Sequence, residues 1–133
     1  MRRVVADASA IVEYLLGTPR GTLLRVTFRD ESVDIHVPAI CDVEVAAGLR
    51  RALLARWMSR DRGHEAVEDY RDLPITRHGH TTLLPRMLEL RERFSAYDAA
   101  YVALAERLDA QVLTADARLG RAIRAHTDLE VAR

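Results

Sequence analysis

The chain has 133 residues, 49% of them hydrophobic and 30% charged, enough apolar material for one core and too much for a disordered segment. Twenty acidic residues balance twenty basic ones, so the net charge is zero and the chain is not a generically basic nucleic-acid binder. No apolar stretch is long enough to span a bilayer and no signal-like block opens the chain, so a cytoplasmic location away from membranes is expected; the one cysteine, Cys41, excludes an internal disulfide framework and a Cys-based zinc site.

The predicted elements alternate. Val4 to Asp7 reads as a strand with β-branched residues. Ser9 then caps a short helix reaching Leu16, punctuated by Gly17 and Pro19. A second helix covers Gly21 to Arg29, and Asp34 to Val37 forms a second strand closed by Pro38. A long helix from Ile40 to Met58 follows, with a buried stripe read as Ile40, Val43, Ala47 and Leu54. Next come a helix from His64 to Asp72, a strand from Leu73 to Arg77, and a helix from Leu83 to Arg93 with Pro85 in its first turn. Ser95 starts a helix running to Leu108, Ala110 to Thr114 is a fourth strand, Ala117 to Ala125 a last helix, and Leu129 to Val131 a candidate fifth strand. This alternation argues for a single α/β domain over residues 1–133, with a mainly parallel sheet of four or five strands between helix layers. In such sheets ligands bind beyond the carboxyl ends of the strands.

Acids stand where such a site would form. Asp7 ends the first strand, and with Ser9 as the expected cap it has no structural duty. Asp116 ends the fourth strand, although it also suits the cap of the helix at Ala117. Asp98 has capping-box spacing from Ser95, yet it shares the apolar stripe of Tyr101, Val102 and Ala105. Glu44 borders the stripe of the long helix, in its first turn; Asp42 nearby is expected to complement the helix N-terminus.

Two carboxylates about 5 Å apart repel by roughly 3 kcal/mol at an effective dielectric of about 20. Asp7, Glu44, Asp98 and Asp116 gathered at one sheet edge therefore call for a cation or extra protons. Oxygen-only donors suit Mg²⁺ or Mn²⁺ rather than zinc. Such an ion keeps open positions for a phosphate and activates water.

The segments VVADASAIVEYL, VPAICDVEVAAGLRR and YDAAYVALAERLDAQVLTADARL, in this order and spacing, resemble the PIN-domain ribonucleases, specifically the VapC-type toxins of toxin–antitoxin pairs. The resemblance covers nearly the whole chain. It implies a three-layer α/β/α sandwich and a Mg²⁺- or Mn²⁺-dependent endoribonuclease. It further implies an RNA substrate, a cognate antitoxin lying over the active-site groove, and a homodimer or a hetero-oligomer with the antitoxin. The family's acidic residues carry over onto Asp7, Glu44, Asp98 and Asp116, and its hydroxyls beside the site onto Ser9 and Thr114. Asp7, Asp98 and Asp116 are then expected as metal ligands, with Glu44 completing the shell or orienting water.

Other residues are read more openly. Arg50 and Arg51 are candidates for substrate phosphates or for pairing with Glu44. Trp57 ends a row Leu49, Leu53, Trp57, read either as packing against a neighbouring helix or as a groove for an antitoxin helix with Val12, Leu15 and Leu16 opposite. His78 and His80 are read as loop, Cys41 as a packed residue, and Arg118, Arg121 and Arg124 as a basic stripe, either solvated or in contact with RNA. The rival readings are a non-catalytic PIN-like binding module, an aspartyl-nucleophile phosphatase and a receiver-like domain. Ser9 stands where the phosphatase needs a second acid, and the absence of lysine argues against the receiver.

Overall fold

In the computed structural model, which describes residues 1–132 with the Leu23 side chain set aside, Arg2–Ala6 form the first strand, β1. Val4, Val5 and Ala6 are all wholly buried. Neighbouring strand residues point to opposite faces, so burial at these three successive positions means that both faces are covered there, as in a parallel sheet between helices. β1 is followed by Val33–Pro38 (β2), Ile75–His78 (β3) and Gln111–Leu113 (β4). All pairings are parallel and the order is β3-β2-β1-β4. The chain thus builds outward from β1 to β3, then returns past β1 to lay β4 on its other side. That reversal opens a crevice at the carboxyl ends of β1 and β4.

The helices are Ala8–Leu16 (α1), Pro19–Arg29 (α2), Cys41–Leu54 (α3), Arg60–Asp72 (α4), Leu84–Glu89 (α5), Ala96–Leu108 (α6) and Ala117–His126 (α7). α6 packs on β1, β2 and β4, while α1 packs against α2, α3 and α4. Gly17, at φ 67°, closes α1 in the left-handed conformation that glycine adopts without penalty. Thr18 then caps α2, accepting from the Gly21 amide. A side chain on Gly21 would lie 2.2 Å from the Glu13 carbonyl oxygen, so α1 and α2 meet backbone to backbone there.

Several local expectations are corrected. Asp7, not Ser9, caps α1, its carboxylate accepting from the Ala10 amide at 3.0 Å. The buried face of α3 is Cys41, Val45, Gly48, Leu49 and Ala52, while Val43 and Leu54 are exposed. The packing set this face through Gly48, because Val12 of α1 presses on it, where a Cβ would meet its Cγ2 at 2.7 Å. α3 ends at Leu54 because Arg56 turns left-handed, at φ 60°, and the Trp57 amide reaches back to the Ala52 carbonyl. Trp57 therefore leaves the helical row that it was expected to end. The helix predicted from Leu83 to Arg93 is a 3₁₀ turn, Thr81–Leu83, and the short α5. The fifth strand is one bridge between Val131 and Val112. His78 ends β3 rather than lying in a loop, and its Nε2 lies 2.8 Å from Nδ1 of His36 on β2. Burial, with His78 alongside, holds His36 below its ordinary pKa.

Candidate active site

Asp7 follows β1 at the crevice and is 5% exposed. One carboxylate oxygen accepts from the Ser9 hydroxyl at 2.7 Å and the Ala10 amide at 3.0 Å; the other accepts from the Thr114 hydroxyl at 2.7 Å. Both hydroxyls are oriented by amides behind them. Ser9 Oγ accepts from the Ala115 amide, and Thr114 Oγ1 from the Asp116 amide, each at 3.0 Å. With those lone pairs engaged, each hydroxyl gives its one proton to Asp7. Burial still pushes Asp7 up to about 6, against the pull of its three hydrogen bonds, and the nearby Asp116 carboxylate adds to the rise.

Asp116 serves two purposes. One oxygen caps α7, accepting from the amides of Arg118 and Leu119 at 3.0 and 3.2 Å. The other faces the cleft, 3.4 Å from the Arg118 guanidinium. Asp98 lies in the first turn of α6, the helix that leads into β4 and so begins at the carboxyl edge of the sheet. Ser95 caps that turn, accepting from the Asp98 amide, and the Asp98 carboxylate turns to the same Arg118 nitrogen at 3.2 Å. Glu44, in the first turn of α3, accepts from the buried Tyr101 hydroxyl at 2.6 Å.

These four acids line one cleft of about 340 Å³, with Ser9, Val12, Arg51 and Trp57 also on its walls. Thr114 is held behind Asp7. Arg50 is exposed and is not part of the lining, and among the described residues neither it nor Arg51 forms an ion pair with Glu44. Asp42 lies outside the cleft, bound by Tyr70 and by Arg77 at 2.8 Å. Those two donors hold its pKa down against burial, which pushes it up. Two polar residues of the cleft escaped the sequence reading. Glu13 lines it, bonded by Thr18; its position one turn after Ser9 on α1 was the available signal. Tyr101 was counted as apolar stripe, although a buried tyrosine hydroxyl needs a partner.

Among the described residues, no three acidic, histidine or cysteine side chains are drawn together tightly enough to enclose a metal ion. The donor chemistry nevertheless fits a hard cation: oxygen ligands alone, with the Arg118 guanidinium standing as a cation between Asp98 and Asp116.

A PIN domain family model matches residues 4–124. The chain is 40% identical over 116 residues to VapC ribonuclease Mb0985 of Mycobacterium bovis, covering 87% of each chain. It is 36% identical over 128 residues to Ribonuclease VapC12 of Mycobacterium tuberculosis, covering 96% of this chain and 98% of that one. In fold it is similar to PAE2754 from Pyrobaculum aerophilum, with a TM-score of 0.69 at 18% identity over 98% of this chain and 88% of that one. It is also similar to VapBC2 from Rickettsia felis, solved bound to a DNA fragment from its promoter, with a TM-score of 0.67 at 11% identity over 98% and 97%. On the family match and these relatives, the chain belongs to the PIN-domain family and to its VapC-type ribonucleases.

Proposed function

We propose that the protein is a Mg²⁺- or Mn²⁺-dependent endoribonuclease, the toxin of a toxin–antitoxin pair. The observation that carries this reading is the convergence of Asp7, Glu44, Asp98 and Asp116, from four separate segments, on one cleft at the strand-order reversal of the sheet. The names of the relatives support it.

In this reading Asp7, Asp98 and Asp116 would hold the metal, and Glu44 would complete the shell or orient water. When bound, the ion supplies Lewis acidity toward the scissile phosphate and a lowered pKa for water. Ser9 and Thr114 keep Asp7 aimed, by hydrogen bonds set from the backbone behind them. Tyr101 fixes Glu44, which orients the attacking water or completes the shell. The substrate is RNA, and the antitoxin is the second partner. Trp57, 74% exposed on the cleft wall, offers that antitoxin an apolar anchor. The protein acts in the cytoplasm, as a homodimer or bound to its antitoxin.

The test is cleavage of total cellular RNA by antitoxin-free protein with Mg²⁺, Mn²⁺ or EDTA, beside Asp98→Asn and Asp116→Asn. Discrete fragments that disappear with EDTA and with both variants are expected. Full cleavage by both variants would overturn the site assignment. No cleavage by wild type with either ion would favour a non-catalytic binding module.

A further inference from the structure

A second depression, about 790 Å³, adjoins the acidic cleft and shares Asp116 with it. It lies between α2, α7 and the segment carrying Val131, beyond strand β4. Its floor is aliphatic, with Leu24 and Val131, and Arg20, Arg121 and Arg124 stand around it. Among the described residues none of these three arginines forms an ion pair, whereas Arg62, Arg71, Arg77, Arg86 and Arg118 do. Arg20 is anchored at this border: its guanidinium donates to the Ala115 carbonyl, next to Asp116, at 3.2 Å.

Resting on the ribonuclease reading, we propose that this groove holds the RNA strand on one side of the scissile phosphate. Arg118, Arg121 and Arg124 recur every three residues on one face of α7, which spreads them over about 9 Å at 1.5 Å per residue. At about 3.4 Å of rise per phosphate, that length covers two to three phosphate intervals of a stacked strand. The first arginine touches the acids of the cleft and the next two face the groove, so positive charge leads outward from the site of cleavage. The guanidiniums of Arg20, Arg121 and Arg124, without acidic partners among the described residues, complement a polyanion, and the aliphatic floor takes the flat faces of bases or sugars. Among the described residues no aromatic ring lines the groove, so its contribution is affinity and strand direction rather than base selection. A net charge of zero hides this patch, because the acids that balance it lie elsewhere.

The experiment measures fluorescence anisotropy of a short labelled single-stranded RNA of mixed sequence, with EDTA present to block cleavage. Wild type is compared with Arg121→Glu/Arg124→Glu, with Arg121→Gln/Arg124→Gln, and with Arg91→Glu/Arg93→Glu, an exposed control pair outside the groove. Circular dichroism checks the fold, and light scattering the oligomeric state. Both groove variants should bind at least about tenfold more weakly, and the slope of log Kd against log salt should fall by about 1.4, at about 0.7 per lost phosphate contact. The control pair should stay near wild type. Unchanged affinity in a folded groove variant, or an equal loss in the control pair, overturns the proposal. A change of oligomeric state with unchanged RNA affinity assigns the groove to a second copy of the chain instead. Wild type that cleaves RNA while the groove variants bind normally removes only this inference. Wild type that neither binds nor cleaves RNA removes the ribonuclease reading as well.

Discussion

The Thr114 hydroxyl donates to the Asp7 carboxylate at 2.7 Å, joining the carboxyl ends of β4 and β1 across 107 positions of sequence. Thr114→Val keeps the shape and removes the donor, leaving a buried carboxylate with one fewer hydrogen bond. A loss of about 1–3 kcal/mol in stability is expected at neutral pH, measured by urea unfolding. Mn²⁺ affinity should fall by roughly tenfold or more, since Asp7 loses its aim. A variant as stable as wild type, with unchanged Mn²⁺ affinity, would remove Thr114 from the site.

The pH dependence of metal-free protein reports on Asp7. Its pKa rises from 3.8 to about 6 on folding, so between those values the folded protein holds a proton that the unfolded chain releases. The contribution of Asp7 to stability therefore falls as pH rises from about 4 to about 6, by about 3 kcal/mol at most, and this group adds no further change above that. Asp7→Asn removes the dependence. In EDTA its stability relative to wild type should increase across that window, read from urea midpoints at several pH values. Parallel curves for the two proteins would contradict the raised pKa.

Tyr101→Phe tests the grip on Glu44. The ring is buried and its hydroxyl donates to Glu44 at 2.6 Å, so the variant keeps the packing and loses one hydrogen bond to a charged group. Stability should drop by about 1–2 kcal/mol. RNA cleavage should fall roughly tenfold, in kcat rather than KM. A change in KM alone would place Tyr101 in substrate binding instead.

Arg118 pairs with Asp98 and Asp116, so under the proposed function it would compete with the metal for both carboxylates. Arg118→Gln should bind Mn²⁺ a few-fold more tightly by calorimetry at low salt, with the difference shrinking as salt is added. Weaker binding in the variant would show that Arg118 supports the site rather than competing for it.

The α1–α2 contact sets the wall of the cleft that carries Ser9 and Glu13. Gly21→Ala places a methyl group 2.2 Å from the Glu13 carbonyl oxygen, a backbone atom that cannot swing away. A loss of about 1–3 kcal/mol is expected from the forced shift, visible as a lower melting temperature. An unchanged melting temperature would mean that α2 moves freely relative to α1.

Period and punctuation made the alternating strands and helices legible in the sequence, because each depends on neighbours a few residues apart. Val4 to Ala6, Ser95 before α6 and Asp116 before α7 were readable in this way. The four acids were legible for a related reason: a carboxylate at a strand end or on an apolar stripe is costly enough to stand out. What the local pattern missed was decided by contacts between distant segments. Which face of α3 is buried depended on Val12 meeting Gly48, and the end of α3 on the left-handed turn at Arg56. The Tyr101–Glu44 bond, the capture of Asp7 by Thr114 and the place of Arg118 between two acids join residues far apart in the chain or on different elements. Residue type and spacing marked the four acids as candidates for the chemistry; the tertiary packing decided that they meet, because the parallel sheet puts the carboxyl ends of β1 and β4 side by side and the first turns of α3 and α6 close over that edge.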